Sequence, residues 1–435
     1  MVPVVWKLRP GAERRIKSGH PWVFSNELAA SPKGHPLGAP VELHDSRGQF
    51  LARGYGNPHS LIAFRALSFQ SQERKPWGQE FLHDKMLVAW SLRQDSGFKG
   101  SFRLCFGESD YLPGIVCDYY LVEQFEIKYQ VFCVQIVTAG MEFILNDMPH
   151  FFKHLVSKAQ EQGLTSLGWE QTAVVMRNDV QVRKLEGLPI PEPQVIKEVE
   201  GLNLREIDIL LNSAQEDDFI KMQCDLVEGQ KTGFFLDQTH NIFLVTSLLK
   251  KRKFDKSKGP VRILDLCCYV GHWSTQLTRL LVSMGLKVEV TQLDVSESAL
   301  NAARKNAERE GAHVVSLKAD VLEKTKELPS AHYDIVISDP PAFIKAKKDI
   351  HVGKHAYLKM NTEAFRVAKK HGYVVSCSCS GLLEEEEFRD VLRKAGQRSG
   401  AELRSILRGG HAADHPTLMQ FPEGFYLKMY THYLP

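Results

Sequence analysis

The chain has 435 residues, 43% hydrophobic and 25% charged, with a formal net charge of +3 at pH 7. That length exceeds what one hydrophobic core fills and predicts roughly two to four domains of ordinary globular composition, which excludes a disordered or fibrous chain. A charge so near balance provides no global field for a polyanion, so any nucleic-acid surface has to be local.

Residues 1–72 read as short β segments separated by turn residues: Val41-Glu42-Leu43, Phe50-Leu51-Ala52 and Leu61-Ile62-Ala63-Phe64 follow a Gly/Pro/His-rich loop. That spacing predicts a small β-barrel. Residues 73–193 are predicted to form a central α+β domain, with helices over about 77–95 and 141–162 and strands near 102–105, 115–118 and 121–127. It ends at Leu188-Pro189-Ile190-Pro191-Glu192-Pro193, whose alternating prolines cannot continue a helix or a central strand.

From 194 to 435 strands and helices alternate. Apolar strands are predicted at 262–266, 288–293, 314–317, 335–338 and 374–376, and helices at 272–284, 296–310, 355–370 and 384–398. The segment 425–431 is predicted as a last, antiparallel strand. Such alternation predicts an α/β, Rossmann-like domain with a mostly parallel seven-stranded sheet, whose ligands sit at the carboxyl ends of the strands.

The chemistry concentrates at those ends. The first strand runs out in Asp265-Leu266-Cys267-Cys268-Tyr269-Val270-Gly271, and the single Gly271 makes a poor dinucleotide fingerprint, so a pyrophosphate cradle is not expected. The second strand ends at Asp294, where a carboxylate can accept both hydroxyls of a ribose; the third reaches Asp320, which can take an adenine amino group. A single acid at such a tip is more often a helix cap, but three on consecutive strand ends point to a nucleoside. The fourth strand ends Asp339-Pro340-Pro341-Ala342-Phe343, where two prolines stiffen a loop that presents an acid and a phenyl ring beside a planar ring. The fifth runs into Ser376-Cys377-Ser378-Cys379-Ser380, which predicts a thiol at a strand-to-helix junction, where a helix N-terminus favours thiolate.

The eight cysteines show no Cys-x-x-Cys pair and no knuckle spacing with histidine, so no metal is expected, and they do not resemble a secreted disulfide framework. A cytoplasmic location is expected. No apolar run approaches the ~18 residues of a membrane span, and no membrane partner is expected.

On these residues the chain resembles the class I S-adenosylmethionine-dependent RNA methyltransferases, and among them the large-subunit ribosomal RNA cytosine-5 methyltransferases with an N-terminal PUA domain. His20-Pro21-Trp22-Val23-Phe24-Ser25-Asn26 and Gly54-Tyr55-Gly56-Asn57-Pro58 are similar to the PUA signature. Residues 228–238, with Phe235 and Gln238, resemble the segment that leads into the cofactor pocket. Ser378-Cys379-Ser380-Gly381-Leu382 matches the nucleophile motif, and Ala412-Ala413-Asp414-His415-Pro416 and residues 422–428 match C-terminal motifs. The chain departs from the family in having Gly271-His272 where two glycines are common, and in Cys377, which strand alternation would put on the same face as Cys379, able to assist or replace it.

The resemblance implies S-adenosylmethionine as cofactor, held by Asp265, Cys267, Tyr269, Gly271, Asp294, Asp320, Asp339, Phe235 and Gln238. It implies RNA as partner, 23S ribosomal RNA or a pre-ribosomal particle, and a homodimer. Cys379 would attack carbon 6 of cytosine, Asp339 would hydrogen-bond the ring nitrogen, and Pro340, Pro341, Phe343, Asp414 and His415 would face the substrate. Trp22 and Arg53 would add stacking and phosphate contacts. The carbon 5 proton would leave to Asp339, His415 or a water, since Ala342 stands where two-cysteine enzymes carry their releasing thiol. Two other readings stand beside this one: methylation of a guanine exocyclic amine, which needs no cysteine, and a non-catalytic RNA-binding assembly factor.

Overall fold

Strands buried on both faces carry apolar residues at successive positions, and this pattern organises the C-terminal half. The computed structural model describes residues 2–213 and 218–435. These divide into two compact units, the first built from Met1–Leu210, Asp225–Leu236 and Ala413–Gly424, the second from Leu211–Cys224, Asp237–Ala412 and Phe425–Pro435.

The first unit opens with a five-stranded sheet of β1 (Val4–Lys7), β2 (Trp22–Phe24), β3 (Pro40–His44), β4 (Phe50–Gly56) and β5 (Ile62–Ser68), in the order β1-β3-β4-β5-β2, with the short helix α1 (Arg14–Lys17). Alternate side chains, among them Trp6, Val23, Val41, Leu43, Ala52 and Phe64, fill its core. The chain continues through α2 (Gln79–Asp95), β6 (Phe102–Phe106), β7 (Ile115–Gln124), β8 (Ile127–Ile136), α3 (Ala139–Ile144), α4 (Met148–Glu161), β9 (Thr172–Met176), β10 (Gln194–Lys197) and β11 (Ile207–Asn212). The single helix expected over 141–162 is two, because Asp147 caps α4 by accepting from the His150 amide at 3.1 Å and Pro149 follows in its first turn. Beyond the prolines of 188–193 the chain rejoins the central sheet, β10 pairing antiparallel with β9.

Barrel and central sheet share buried polar contacts. Tyr55 donates its hydroxyl to the Pro113 carbonyl at 2.7 Å, and its ring lies so close to Gly140 that a Cβ there would stand 2.0 Å from it. Arg65 bridges Glu108 and Glu186 at 3.1 and 2.9 Å.

The second unit contains β12 (Phe219–Cys224), α5 (Thr239–Lys250), β13 (Val261–Leu266), α6 (His272–Ser283), β14 (Val288–Asp294), α7 (Glu297–Arg309), β15 (Ala312–Lys318), α8 (Val321–Lys324), β16 (Tyr333–Ser338), α9 (Ile350–Val367), β17 (Ala368–Ser378), α10 (Glu385–Ser399), β18 (Arg404–Gly409) and β19 (Lys428–Tyr433). Its sheet has seven strands in the order β15-β14-β13-β16-β17-β19-β18, parallel from β15 to β17 and antiparallel beyond. Alternation sends Leu264, Leu266, Val336 and Val374 to one face, against Tyr357 and Phe388, and Ile263, Ile335, Ile337 and Val375 to the other, against Ile242, Trp273 and Leu277. Each fully buried side chain of this kind stabilises the fold by about 1.5–3 kcal/mol. Among the described residues no helix is long and apolar enough to cross a membrane.

Candidate active site

Parallel register brings the strand ends to one edge. Leu266 of β13 aligns with Leu293 and with Ser338, and Ser338 aligns with Ser376. Asp265, Asp294, Asp320, Asp339 and Cys379 therefore stand at or just past the tips of β13, β14, β15, β16 and β17. The strand order reverses between β13 and β16, the place where open α/β sheets bind ligands.

The loop after β13 turns sharply. Cys267 (φ 58°), Tyr269 (φ 49°) and Gly271 (φ 78°) all lie in the left-handed region, an uncommon conformation for the two that carry a Cβ. What holds it is Asp294: its carboxylate accepts from the amides of Tyr269 and Ser296, each at 2.9 Å. Gly271 caps α6, and a Cβ there would lie 3.0 Å from the Gln292 amide nitrogen and 3.1 Å from Ala303. Gly271→Ala is expected to destabilise the protein by about 1–3 kcal/mol, read as a lower midpoint in a denaturant titration. His272 follows, buried, as the first residue of α6.

Asp265 is 1% exposed. One oxygen accepts from the Ser274 amide at 3.1 Å, and the other has no hydrogen-bond partner among the described residues. Burial pushes its carboxyl up from 3.8 to about 7, against the hydrogen bonds from Ser274. Between those values the unfolded chain is ionised there and the folded chain is not, so the folded state binds more protons and stability falls as pH rises from about 4 through about 7. Asp265→Asn removes that loss. Its melting temperature relative to wild type is expected to climb between pH 5 and pH 8, by an amount worth at most about 3 kcal/mol, and a pH-independent difference would contradict the burial effect.

This donor set fits S-adenosylmethionine. A buried carboxylate oxygen without a partner, a loop curled back by left-handed residues, and acids at neighbouring tips suit a ligand with ribose hydroxyls, amino groups and a sulfonium charge. Asp294 and Asp320 also cap local turns, Asp320 accepting from the Leu322 amide at 2.8 Å.

Around Asp339 the geometry is tighter. Its two carboxylate oxygens accept from the Gln238 side-chain amide and from the Trp273 indole, each at 3.0 Å, and Asn241 fixes Gln238 in turn at 2.7 Å. The Cys379 sulfur lies 3.8 Å from the Pro340 carbonyl. Ser380 ties this loop to the next, its hydroxyl accepting from the Ile344 amide at 3.1 Å and meeting the Tyr357 hydroxyl at 2.9 Å. Phe343 packs edge-on against Tyr357, with ring centroids 4.9 Å apart.

Of the eight cysteines, Cys267 and Cys379 are partly exposed and the others buried. Burial, reinforced by Asp294 and Asp339, pushes the Cys267 thiol far up, which removes it as a nucleophile. Cys377 is fully buried in the apolar core beside Trp273, Ile337 and Met429, and its thiol is likewise pushed well up. The alternation expected to pair it with Cys379 stops where β17 ends, at Ser378.

Several candidates belong to the first unit. Asp414 and His415 are each 1% exposed; the Asp414 carboxylate accepts from the Arg103 amide and contacts His415, and its carbonyl accepts from Arg93, which also grips Asp110 with two bonds of 2.7 Å. Trp22 donates its indole N–H to Glu108 at 2.7 Å, and Arg53 pairs with Glu42 and two carbonyls. Phe235 lies under the Lys231 ammonium, 4.1 Å from the ring centroid. Trp273 and Tyr357, which contact Asp339 and Ser380, were not singled out in the sequence, and Ser380 and Lys428 entered only inside matched motifs.

Two family models match the chain, a PUA-like domain over residues 7–69 and a methyltransferase domain over residues 257–409. The ribosomal RNA large subunit methyltransferase I of Pseudoalteromonas translucida is 32% identical over 431 residues, covering 97% of both chains. The chain belongs to the ribosomal RNA large subunit methyltransferase I family. Family members from Photobacterium profundum and Shewanella amazonensis are each 31% identical, with 98% and 97% of this chain covered. Among solved structures, one from Streptococcus mutans assigned as a SAM-dependent methyltransferase superposes with a TM-score of 0.72 at 15% identity, over 99% of this chain and 100% of that one. Another, assigned as a methyltransferase and complexed with SAH, gives 0.71 at 16% identity over the whole of both chains. The fold is thus that of methyltransferases, and S-adenosylmethionine is the cofactor of this family member.

Proposed function

We propose that this protein methylates carbon 5 of a cytosine in 23S ribosomal RNA, with Cys379 as nucleophile, in the cytoplasm and as a homodimer. The observation that supports this most is a partly exposed thiol 3.8 Å from the Pro340 carbonyl, on the strand tip next to the one carrying Asp339. Exocyclic amine methylation gives a cysteine at that place nothing to do.

S-adenosylmethionine, when bound, supplies the methyl group. The chain's own residues make the base ready to take it. The Cys379 thiolate adds to carbon 6, and the electron pair of the 5,6 double bond moves into the ring, leaving carbon 5 nucleophilic. Asp339 in its protonated form donates to the base's N3 and so neutralises the adduct, its own direction fixed by Gln238 and Trp273. After methylation a water takes the carbon 5 proton, the electron pair of that C–H bond re-forms the 5,6 double bond, and the Cys379 sulfur leaves carbon 6 as thiolate. The base has to leave its stack to reach this edge, so the substrate is a single-stranded or flipped cytosine, and the PUA-like domain is the RNA-holding part. Trp22 and Arg53, already fixed by Glu108 and Glu42, would offer ring face and guanidinium plane to that RNA, as Asp414 and His415 would offer a rigid loop.

The test is transfer of labelled methyl to ribosomal RNA from cells lacking the gene, followed by nucleoside analysis. Label in 5-methylcytidine is expected; label in a methylguanosine would overturn the cytosine reading.

A further inference from the structure

A nucleophilic thiol near neutral pH needs a positive influence, and the one anticipated from the sequence lies away from Cys379. Helix α10 begins at Glu385, after the loop of Gly381, Leu382, Leu383 and Glu384, and its first turn is acidic, carrying Glu385, Glu386 and Glu387. Tyr357 on α9, Cys377 on β17 and Lys428 on β19 each interact electrostatically with Cys379, while Asp339 acts on Cys377 and Glu384 and Glu385 act on Lys428.

Among the described residues the fold brings the Lys428 ammonium to this loop. Lys428 is the first residue of β19 and the antiparallel partner of Ser378, the last residue of β17. Its side chain, 8% exposed over the whole residue, donates to the Ser380 carbonyl at 2.9 Å and to the Tyr426 carbonyl at 3.0 Å. The ammonium is thus bonded to the residue directly after Cys379, in a partly desolvated place where a charge acts over several ångströms with little screening.

We propose that Lys428 is the positioning residue of the nucleophile: its ammonium fixes the Cys379-Ser380 turn and supplies the positive charge that favours the Cys379 thiolate. This rests on Cys379 being the nucleophile. Burial lowers the Lys428 ammonium from its ordinary value, and Glu384, Cys379 and Glu385, in that order, raise it, as mutual attraction between lysine and thiolate requires. Glu384 and Glu385 thus favour the charged lysine.

The experiment follows the rate of Cys379 alkylation by iodoacetamide against pH in the full chain, by mass spectrometry of the Cys379 peptide. Lys428→Met, Lys428→Gln and Lys428→Arg are compared with wild type. Lys428→Gln keeps an N–H donor, one bond shorter in reach, and loses the charge. The alkylation midpoint is expected to rise by about one pH unit in the Met and Gln variants, a roughly tenfold slower reaction at pH 7, and to stay near wild type in the Arg variant. A Gln variant with the wild-type midpoint would overturn the proposal, because a merely structural lysine would be replaced by that donor; should Lys428→Met fail to fold, the Gln and Arg pair carries the comparison. Alkylation does not depend on methyl transfer. A Cys379→Ala protein that still methylates RNA would sink the nucleophile reading, whereas an unshifted profile sinks the role of Lys428 alone.

Discussion

Cys379→Ser is expected to lower the rate of RNA methylation by roughly 10³-fold or more while leaving the melting temperature near wild type. A serine hydroxyl is un-ionised at neutral pH, so addition to carbon 6 becomes the slow step. The fold should not notice, because the residue is partly exposed and its sulfur lies a long 3.8 Å from the Pro340 carbonyl. Cys377→Ala should behave in the opposite way. That residue is fully enclosed among Val375, Trp273 and Met429, so its loss opens a small cavity and lowers stability by about 1 kcal/mol with methylation retained. Single-turnover methyl transfer and thermal melts on both variants separate the two roles; an active Cys379→Ser protein would remove the thiol mechanism.

The second large effect is expected at Asp339. Asparagine at this position keeps the size but offers a single acceptor oxygen, while Gln238 and Trp273 both approach as donors. One of them must face the new amide NH2, which turns the side chain or pushes it from its place. Methylation by Asp339→Asn is expected to fall by about 10²–10³-fold, the range for removing one preorganised stabilising group. Trp273→Phe, which deletes one of the two donors and keeps the aromatic packing, should cost about tenfold. The measurement is kcat against RNA concentration for both variants; equal activity of Asp339→Asn and wild type would show that the carboxylate is not at the reacting base.

Much of this was legible in the sequence because parallel strands are simple to read. The predicted strands at 262–266, 288–293 and 335–338 lie inside β13, β14 and β16, and an acid directly after such a strand, as Asp294 and Asp339 are, is at a strand tip wherever the strand pairs. The resemblance to a known family added Cys379, which no periodicity distinguishes from Cys377. Strand β18 was missed: Arg404–Gly409 alternates weakly, sits at a sheet edge and exposes most of its side chains, so it carries little apolar signal. The partners of Asp339 and Ser380 were not legible for a different reason. Gln238, Trp273, Tyr357 and Lys428 lie 101, 66, 23 and 48 positions away from the residues they hold, and only the folded sheet brings them together. Lys428 stands in the matched segment 422–428 and in the predicted last strand, but its bond to Ser380 shows only once β19 lies beside β17.

The most direct test of the central claim, a thiol adding to carbon 6 of a cytosine, is covalent trapping on RNA containing 5-fluorocytidine in the presence of S-adenosylmethionine. Fluorine at carbon 5 leaves no proton to remove, so an enzyme working this way stays bonded to the RNA. Wild type should form a complex that survives denaturing electrophoresis, with the linkage mapped to Cys379, and Cys379→Ala should form none. A wild-type protein that methylates ordinary RNA yet leaves no adduct, or an adduct that persists in Cys379→Ala, would contradict the mechanism.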